Sequence, residues 1–157
     1  MSQNNFFIDW NSRFSTQAAW TKSLREYLSA QLEINRFSKI LEVGCGTGVI
    51  LRETTPLNQC EAVGVDIDFS RLQIAKKHKA DQLATCADVF DLPFVNNSFD
   101  FIVFHYFLLW INDPIKALQA IYKVLLPGGI AIAFAEPDYK SRIEYPLIFE
   151  KFGKLQT

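Results

Sequence analysis

Hydrophobic residues recur in this sequence at two spacings, and segments of the two kinds alternate along the chain. Across 12–32 the apolar positions fall mainly at helical spacing with charged residues between them, which predicts an amphipathic N-terminal helix or pair of helices. The short β-prone run Lys39–Val43 predicts a first strand. A helix over Val49–Thr55 should follow, and Pro56 should end it because proline has no N–H to donate.

The order of strand and helix recurs in the next part of the chain. Glu61–Asp66 is predicted to be a second strand and Phe69–Ala80 the helix after it. The run LATCAD, which ends at Asp88, predicts a third strand, and the stretch DLPFVNNS predicts a loop from its proline and asparagines. The helix is expected to bury three apolar side chains, those of Phe69, Leu72 and Ala75.

A fourth strand and its helix come next. Phe99–Phe107 (FDFIVFHYF) is apolar almost throughout, as expected of a strand that is covered on both faces. Asp113 supplies an N-cap and Pro114 a first-turn proline for a helix over Ile115–Leu125. Pro127–Gly129 should end that helix.

The last predicted strand is Gly129–Glu136, in which Ile130, Ile132 and Phe134 alternate with alanines. The bulky face should pack broadly, and the alanine face should let a helix approach closely. Alternating strands and helices of these lengths predict an α/β fold, a Rossmann-like, doubly wound and mostly parallel sheet with an N-terminal helix. Its ligand is expected at the carboxyl ends of the strands.

Composition narrows the class of protein. The 157 residues are 49% hydrophobic and 21% charged with a net charge of −1, which is typical of one soluble domain. Neither nucleic acid nor an anionic membrane is therefore the expected partner. No signal-peptide pattern opens the sequence, and the longest apolar run, Phe101–Ile111, is too short to span a bilayer. Cys45, Cys60 and Cys86 form no C-x-x-C pair, so we expect small, mostly buried and reduced thiols, no metal site and a cytoplasmic location.

The candidate chemistry begins at LEVGCGTG, residues 41–48. Gly44, Gly46 and Gly48 follow the first predicted strand, but Val49 stands where the dinucleotide fingerprint G-x-G-x-x-G has its third glycine. By itself the match is partial, and a tight turn without a ligand would also need such glycines.

Glu42 distinguishes between the possible nucleotides. A carboxylate two residues before the turn would oppose the anionic pyrophosphate of a dinucleotide at the helix N-terminus. S-adenosyl-L-methionine instead carries an ammonium and a sulfonium, which a nearby carboxylate attracts. An NAD(P)-dependent oxidoreductase is thus the weaker alternative.

Further acidic residues end the second and third predicted strands. Asp66 is placed to accept hydrogen bonds from ribose hydroxyls, whereas Asp68 is expected to cap the next helix. Asp88 could accept from an adenine amino group. The fold should bring Glu42, Asp66 and Asp88 to one crevice, although capping a turn is a common role for aspartate.

Five segments follow one another in the order LEVGCGTG, VGVDI, CADVFDLPF, SFDFIVFHYFLLWINDP and LLPGGIAIAF. Together they resemble the ordered motifs of class I S-adenosylmethionine-dependent methyltransferases. The likeness covers roughly residues 39–136 and is greatest to the small-molecule group that includes quinone C-methyltransferases. It implies the strand order 3-2-1-4-5 and a transfer of methyl to a small-molecule acceptor. The implied cofactor residues are Glu42, Gly44, Cys45, Gly46 and Gly48 at the methionine end, Asp66 at the ribose, Ile67, Asp88 and Val89 at the adenine, and His105 near the sulfonium.

Other side chains have two interpretations each. His105 could be a general base or a strand-end histidine satisfied by a hydrogen bond. Arg25, with Trp20 and Thr21, could fold over the cofactor and pair its carboxylate, but a packed Trp20 and a solvated Arg25 are slightly favoured. Tyr106 and Trp110 are expected in the core or the pocket wall rather than in the chemistry.

The resemblance also sets an expectation for the end of the chain. Members of the class usually continue past the fifth strand with a helix and two further strands, whereas this sequence ends about 20 residues after Glu136. We divide its single domain into an N-terminal helical cap (1–37), a nucleotide-binding core (38–136) and the start of a truncated part (137–157). The fifth strand would then be an apolar edge, so either the sequence is a fragment or a second copy or a partner chain covers that edge. A truncated, non-catalytic cofactor-binding module is the alternative function.

Overall fold

A computed structural model describes residues 9–33, 37–54, 61–78 and 84–136. The helices in these ranges are α1 Trp10–Trp20, α2 Lys22–Gln31, α3 Val49–Thr54, α4 Phe69–Lys77 and α5 Pro114–Val124. The strands are β1 Lys39–Val43, β2 Glu61–Asp66, β3 Ala84–Cys86, β4 Phe99–His105 and β5 Leu125–Phe134. All strand pairs are parallel and the order is β3-β2-β1-β4-β5, which confirms the predicted fold.

Both faces of the sheet are covered, because its central strands are apolar on both sides. In β4 every residue except Asp100 and His105 is buried, as predicted for this run. One face packs against α5 through Leu41, Val43, Ile102, Phe104 and Ile121, among others. The other face packs near α2 and α3 through Phe37, Ile40, Leu51, Phe101 and Val103, among others.

Aspartates start three of the helices. The Asp9 carboxylate accepts a hydrogen bond from the Ser12 amide (3.1 Å). Asp68 and Asp113 cap α4 and α5, and both roles were predicted from the sequence. Each cap satisfies an N–H that has no partner within the helix, which stabilises the helix by about 1 kcal/mol. The N-terminal segment is a pair of helices, which separate at Thr21.

Three strands end earlier than predicted, and one of them is β5, which ends at Phe134 rather than Glu136. β3 ends at Cys86, and Asp88 instead accepts from the Phe90 amide (2.9 Å), which starts a 3-10 turn over Val89–Asp91. β4 ends at His105 because Tyr106 has a φ of +51°, which takes the backbone out of the extended region. The predicted ends Thr55 and Ala80 of the second and third helical segments lie outside the described residues.

The junction of α5 and β5 differs from the prediction. Leu125 is already extended (φ −76°, ψ 135°), so α5 ends at Val124 without a glycine cap and β5 begins at once. Pro127–Gly129 therefore lie within the strand, and the prediction that they end the helix was wrong. The register slips across them, since Phe99 pairs with Leu125 while Phe101 pairs with Ile130.

Predicted burial holds for one face of β5 but not for the other. Phe134 is buried and Ile130 and Ile132 pack against the same cluster, as predicted. Ala131 and Ala133 are exposed, so among the described residues no helix covers the alanine face. The other strand edge of β5 likewise has no neighbour in the described chain, and a second copy or a partner on it stays a prediction.

Phe69 was also predicted to be buried, and it is 62% exposed. α4 begins beyond the carboxyl end of β2, so its first residue has no strand beneath it, whereas Leu72 and Ala75 lie over the sheet and are buried. No helix in the described ranges has the length and apolar character needed to cross a membrane.

Candidate functional site

A cavity of about 730 Å³ lies at the carboxyl ends of β1, β2 and β4, a volume usual for small-molecule sites. α1 and the segment after β4 form its other walls. The predicted cofactor residues that line it are Glu42, Gly44, Cys45, Gly46, Asp66, Ile67, Asp88, Val89 and His105. Gly48 and Arg25 do not line it.

The glycine loop turns sharply at the end of β1. Gly44, Gly46 and Gly48 all have positive φ values, between 54° and 73°, which residues with a Cβ rarely adopt. A Cβ on Gly44 would lie 2.5 Å from the Phe107 ring, and one on Gly46 would lie 2.8 Å from the Phe14 ring. The loop therefore needs glycine for its conformation, and at Gly44 and Gly46 also for the close packing above it.

Glu42 is the unusual residue of the site. Its side chain lines the cavity and is 3% exposed. The backbone N–H of Leu51 hydrogen-bonds to the carboxyl group, but no donor among the described residues reaches Oε2. Burial, and secondarily the charge of Asp66, raise its pKa to about 8. At neutral pH the carboxyl is thus mainly protonated, and an uncompensated oxygen borders the cavity.

Asp66 ties the glycine loop to the second strand. Its Oδ2 accepts from the Gly46 amide (2.7 Å) and its Oδ1 from the Asp68 amide (2.8 Å). The side chain is buried, and it lines the cavity with part of its acceptor capacity unused, since each carboxylate oxygen can accept a second hydrogen bond.

The adenine-side candidates differ in exposure. The Ile67 side chain is exposed on the cavity lining, whereas Val89 is buried. Asp88 is exposed and caps the turn that contains Val89. The capping role and a place on the cavity wall therefore occur together at Asp88.

Cys45 lies in the loop with its thiol against Gly64, where a Cβ would be 2.7 Å from the sulfur. Burial raises the pKa of this thiol, and the charges of Glu42 and Asp66 add to the effect. A thiol held protonated is a poor nucleophile, so Cys45 acts as a small packing residue. Cys86 is exposed, against the expectation of mostly buried thiols, and Cys60 lies outside the described residues.

His105 is linked to the N-terminal helices. Its Nε2 lies 2.8 Å from the Thr21 hydroxyl, which in turn accepts from Arg25 Nη1 (2.5 Å). Arg25 also donates to the Ala18 carbonyl (2.7 Å) and forms an ion pair with Glu53. Burial, reinforced by the Arg25 charge, lowers the pKa of His105 to about 4, so the ring is neutral at pH 7.

The expected exposures of Arg25 and Trp20 were reversed. Arg25 is 7% exposed and Trp20 is 69% exposed. The ion pair with Glu53 compensates the buried guanidinium, which is why a charged residue occupies the inner face of α2. Because that guanidinium already has protein partners and does not line the cavity, the expected pairing of Arg25 with a cofactor carboxylate is corrected. Tyr106 and Trp110 line the cavity as wall residues, as expected.

Four side chains near the mouth of the cavity were missed by the sequence reasoning. The Arg71 guanidinium lies 4.8 Å from the ring centre of Trp10 and 5.5 Å from that of Phe14. Arg13 stacks on Trp10 at 5.8 Å. The Arg71 contacts attach α1 to α4, and the Phe14 ring lies over Gly46 of the glycine loop. The contact between Trp10 and Arg71 joins distant positions and has no local sequence signal.

Glu136 was also missed. Its carboxylate accepts from the Phe107 amide (2.7 Å) and the Leu108 amide (2.9 Å). It therefore fixes the start of the 3-10 turn Leu108–Trp110, which forms one wall of the cavity. Burial raises the pKa of Glu136, and the backbone hydrogen bonds oppose that rise.

No group of three or more His, Cys, Asp or Glu side chains in the described part of the chain could hold a metal ion.

Comparison with known proteins identifies similar chains. A family model described as a methyltransferase domain matches residues 41–133. The chain is 31% identical over 103 residues to malonyl-[acyl-carrier protein] O-methyltransferase from Enterobacter lignolyticus, with 66% of this chain and 41% of that protein covered. It is 30% identical over 148 residues to demethylmenaquinone methyltransferase from Staphylococcus epidermidis, with 85% and 61% covered. The chain therefore spans about half the length of the curated relatives it matches.

The fold is shared with solved structures. An S-adenosylmethionine-dependent methyltransferase from Mesorhizobium loti superimposes with a TM-score of 0.56 at 23% identity, over 62% of this chain and 45% of that one. At this identity the likeness concerns the fold alone.

Proposed function

Because this chain belongs to the class I S-adenosylmethionine-dependent methyltransferases, we propose that it binds S-adenosyl-L-methionine in the cavity and transfers the methyl group to a small-molecule acceptor. The observation that carries the proposal is the buried Oε2 of Glu42, which lines the cavity without a donor from the described residues. A buried carboxyl group of this kind is costly unless a ligand supplies the missing partner.

The chemistry of the donor fits the residues present. A cation placed against Glu42 would favour loss of the carboxyl proton and would then be held by a full negative charge at low effective dielectric. A pyrophosphate in the same place would keep the carboxyl protonated and would gain no such charge attraction. The match to a methyltransferase family and the position of Glu42 together favour the sulfonium donor over NAD(P).

The remaining candidates can be assigned by their positions on the cavity. Gly44, Cys45 and Gly46 would border the methionine end with their backbone, because the glycines leave no side chain there. Asp66 would accept from the ribose hydroxyls while it keeps its bond to the Gly46 amide. Ile67 and Val89 would pack on the adenine, and Asp88 would accept at its edge.

Methyl transfer requires little covalent chemistry from the protein itself. When S-adenosylmethionine is bound it supplies an activated methyl group: the acceptor's electron pair forms the new bond in line as the carbon–sulfur bond breaks and leaves its electrons on sulfur. The protein's part is to align the two partners and exclude water. The Phe14 ring over the glycine loop, with Trp10 against that ring, and the turn held by Glu136 would close the cavity around them.

The acceptor is a separate question. The two curated relatives are named for different acceptors, malonyl-[acyl-carrier protein] and demethylmenaquinone. In this chain the cavity wall after β4 carries Leu109, Trp110 and Ile111. These side chains favour an acceptor with an apolar or aromatic body.

Calorimetric titration tests the proposal. We expect binding of S-adenosylmethionine and of its demethylated product, and no binding of NAD. Binding of NAD in preference to the sulfonium donor would overturn the proposal. Donor binding followed by no transfer to phenolic, quinone, amine or carboxylate acceptors would favour the non-catalytic binding module instead.

A further inference from the structure

A chain of polar groups connects the outside of the molecule to the cavity wall. It runs from Glu53 on α3 through Arg25 on α2 to the Thr21 hydroxyl and then to Nε2 of His105 at the end of β4. Of its members only His105 lines the cavity. Arg25 is buried and donates hydrogen bonds to Ala18, Thr21 and Glu53, so this series of polar groups belongs to the packed fold and sets the surroundings of one imidazole.

The position of each hydrogen follows from the acceptors that are available. Arg25 supplies a hydrogen to Thr21 Oγ1, so the threonine's own hydrogen must go elsewhere. The Ala18 carbonyl lies 3.3 Å from that hydroxyl and already accepts from Arg25 and from the Thr21 amide. His105 Nε2 lies nearer, at 2.8 Å. A lone pair on Nε2 is also favoured over an N–H there, because the Arg25 charge polarises the hydroxyl between them.

A neutral imidazole that accepts at Nε2 carries its hydrogen on Nδ1. No residue in the described part of the chain hydrogen-bonds to that nitrogen, so it is available to a ligand in the cavity. We propose that Thr21 and Arg25 are positioning residues that hold His105 as the Nδ1–H tautomer, so that it donates a hydrogen bond to an oxygen of the methyl acceptor. This rests on the proposed function for the identity of the ligand.

In this role His105 is a hydrogen-bond donor and not a general base. The groups that face the ring are Thr21, the Arg25 charge behind it and the Tyr106 ring, which meets it edge-on at 4.7 Å. None of them stabilises an imidazolium, and burial opposes one, which agrees with the lowered pKa of His105. The acceptor class that fits has a carbonyl, enolate or phenolate oxygen next to the atom that is methylated, where developing or existing negative charge attracts an N–H.

The tautomer can be measured without any ligand. The chain contains only two histidines, His78 and His105, so ¹⁵N-histidine labelling gives two imidazole patterns, and His78 is the exposed reference. We expect His105 to show a protonated Nδ1 and an unprotonated Nε2 from about pH 8 to pH 5.5. Thr21→Ser, which keeps the hydroxyl, should preserve the pattern, and Thr21→Val should abolish it. A protonated Nε2 in the wild type, or an unchanged pattern in Thr21→Val, would overturn the proposal.

Two further readouts separate positioning from a structural effect. If Thr21→Val does not fold, the wild-type spectrum still decides the tautomer. If it folds, we expect kcat with an oxygen-bearing acceptor to fall about tenfold while the dissociation constant of S-adenosylmethionine changes less than twofold. If kcat and the affinity for S-adenosylmethionine fell by the same factor, a role directed at the acceptor would be contradicted. Failure of S-adenosylmethionine to bind the wild type would refute the proposed function and leave the tautomer measurement intact.

Discussion

Replacing Glu42 by glutamine removes an ionisable group from the cavity wall and keeps the size of the side chain. The carboxyl group is buried on β1, and burial raises its pKa from 4.5 to about 8. The substitution should therefore have opposite effects on the stability of the free protein and on donor binding, and this combination distinguishes a binding residue from a packing residue.

The pKa shift gives the magnitude for stability. A tenfold change in an ionisation constant corresponds to about 1.4 kcal/mol, so an ionised Glu42 costs the unliganded fold at most about 5 kcal/mol. The folded chain holds this proton more tightly than the unfolded chain, so the free energy of unfolding of the wild type falls as pH rises from about 4.5 to about 8. Glu42→Gln lacks that fall, and between pH 5 and pH 9 it should gain about 2–4 kcal/mol relative to the wild type after local relaxation is allowed for.

Urea unfolding at the two pH values, without donor, measures the effect. The matched control is Glu26→Gln, an exposed carboxyl on α2 whose salt-bridge partner Lys22 lies 3.9 Å away. In the same preparations, Glu42→Gln should weaken S-adenosylmethionine binding about 10- to 100-fold, the usual loss for a charged hydrogen bond. The control should change neither quantity.

Two results would refute this reasoning. Unfolding free energies of wild type and Glu42→Gln that run parallel from pH 5 to pH 9 would show that Glu42 is ionised throughout. Unchanged donor affinity in a folded variant would show that the orphaned oxygen does not meet the donor's positive charge.

Three other substitutions test separate parts of the site. Gly44→Ala should lower donor affinity at least tenfold by calorimetry, because the new Cβ meets Phe107 and the φ of +72° is strained; unchanged affinity would contradict the loop geometry. Asp113→Ala should cost about 1 kcal/mol in urea unfolding through the lost α5 cap with donor affinity unchanged, and a large loss of affinity would count against a purely structural cap. Glu136→Gln keeps one acceptor oxygen for two amides, so it should lower kcat while the melting temperature changes little. A variant kcat equal to that of the wild type would remove its role in the acceptor wall.

The strands, their shared direction and the position of the acidic residues could be predicted from the residues themselves, and the strand order from the resemblance to the methyltransferases. Each strand of the core has its own apolar run, and parallel strands joined by helices place all carboxyl ends on one side. Glu42 and Asp66 therefore had to meet at one crevice. The depth of Glu42 and its missing donor could not be read from the sequence, because they depend on packing from α3 and β2.

Other predictions were wrong because they, too, depend on contacts between distant residues. Hydrophobic periodicity ranks a tryptophan above an arginine for burial, and it cannot see that Glu53, 28 residues away, pairs with Arg25. The start of β5 was misplaced because Pro127–Gly129 usually end helices, whereas here the extended conformation of Leu125 ends α5 first. Contacts between distant residues, such as Arg71 with Trp10, leave no pattern in the sequence near either partner.

The proton balance of donor binding tests the central claim most directly. Calorimetric titration with S-adenosylmethionine at about pH 6.5, in two buffers with different ionisation heats, measures the protons exchanged with solvent. Because Glu42 is protonated in the free chain at this pH and should be ionised beside the bound cation, we expect release of about one proton per donor. Glu42→Gln should release none. No binding, or binding by the wild type without proton release, would contradict the account.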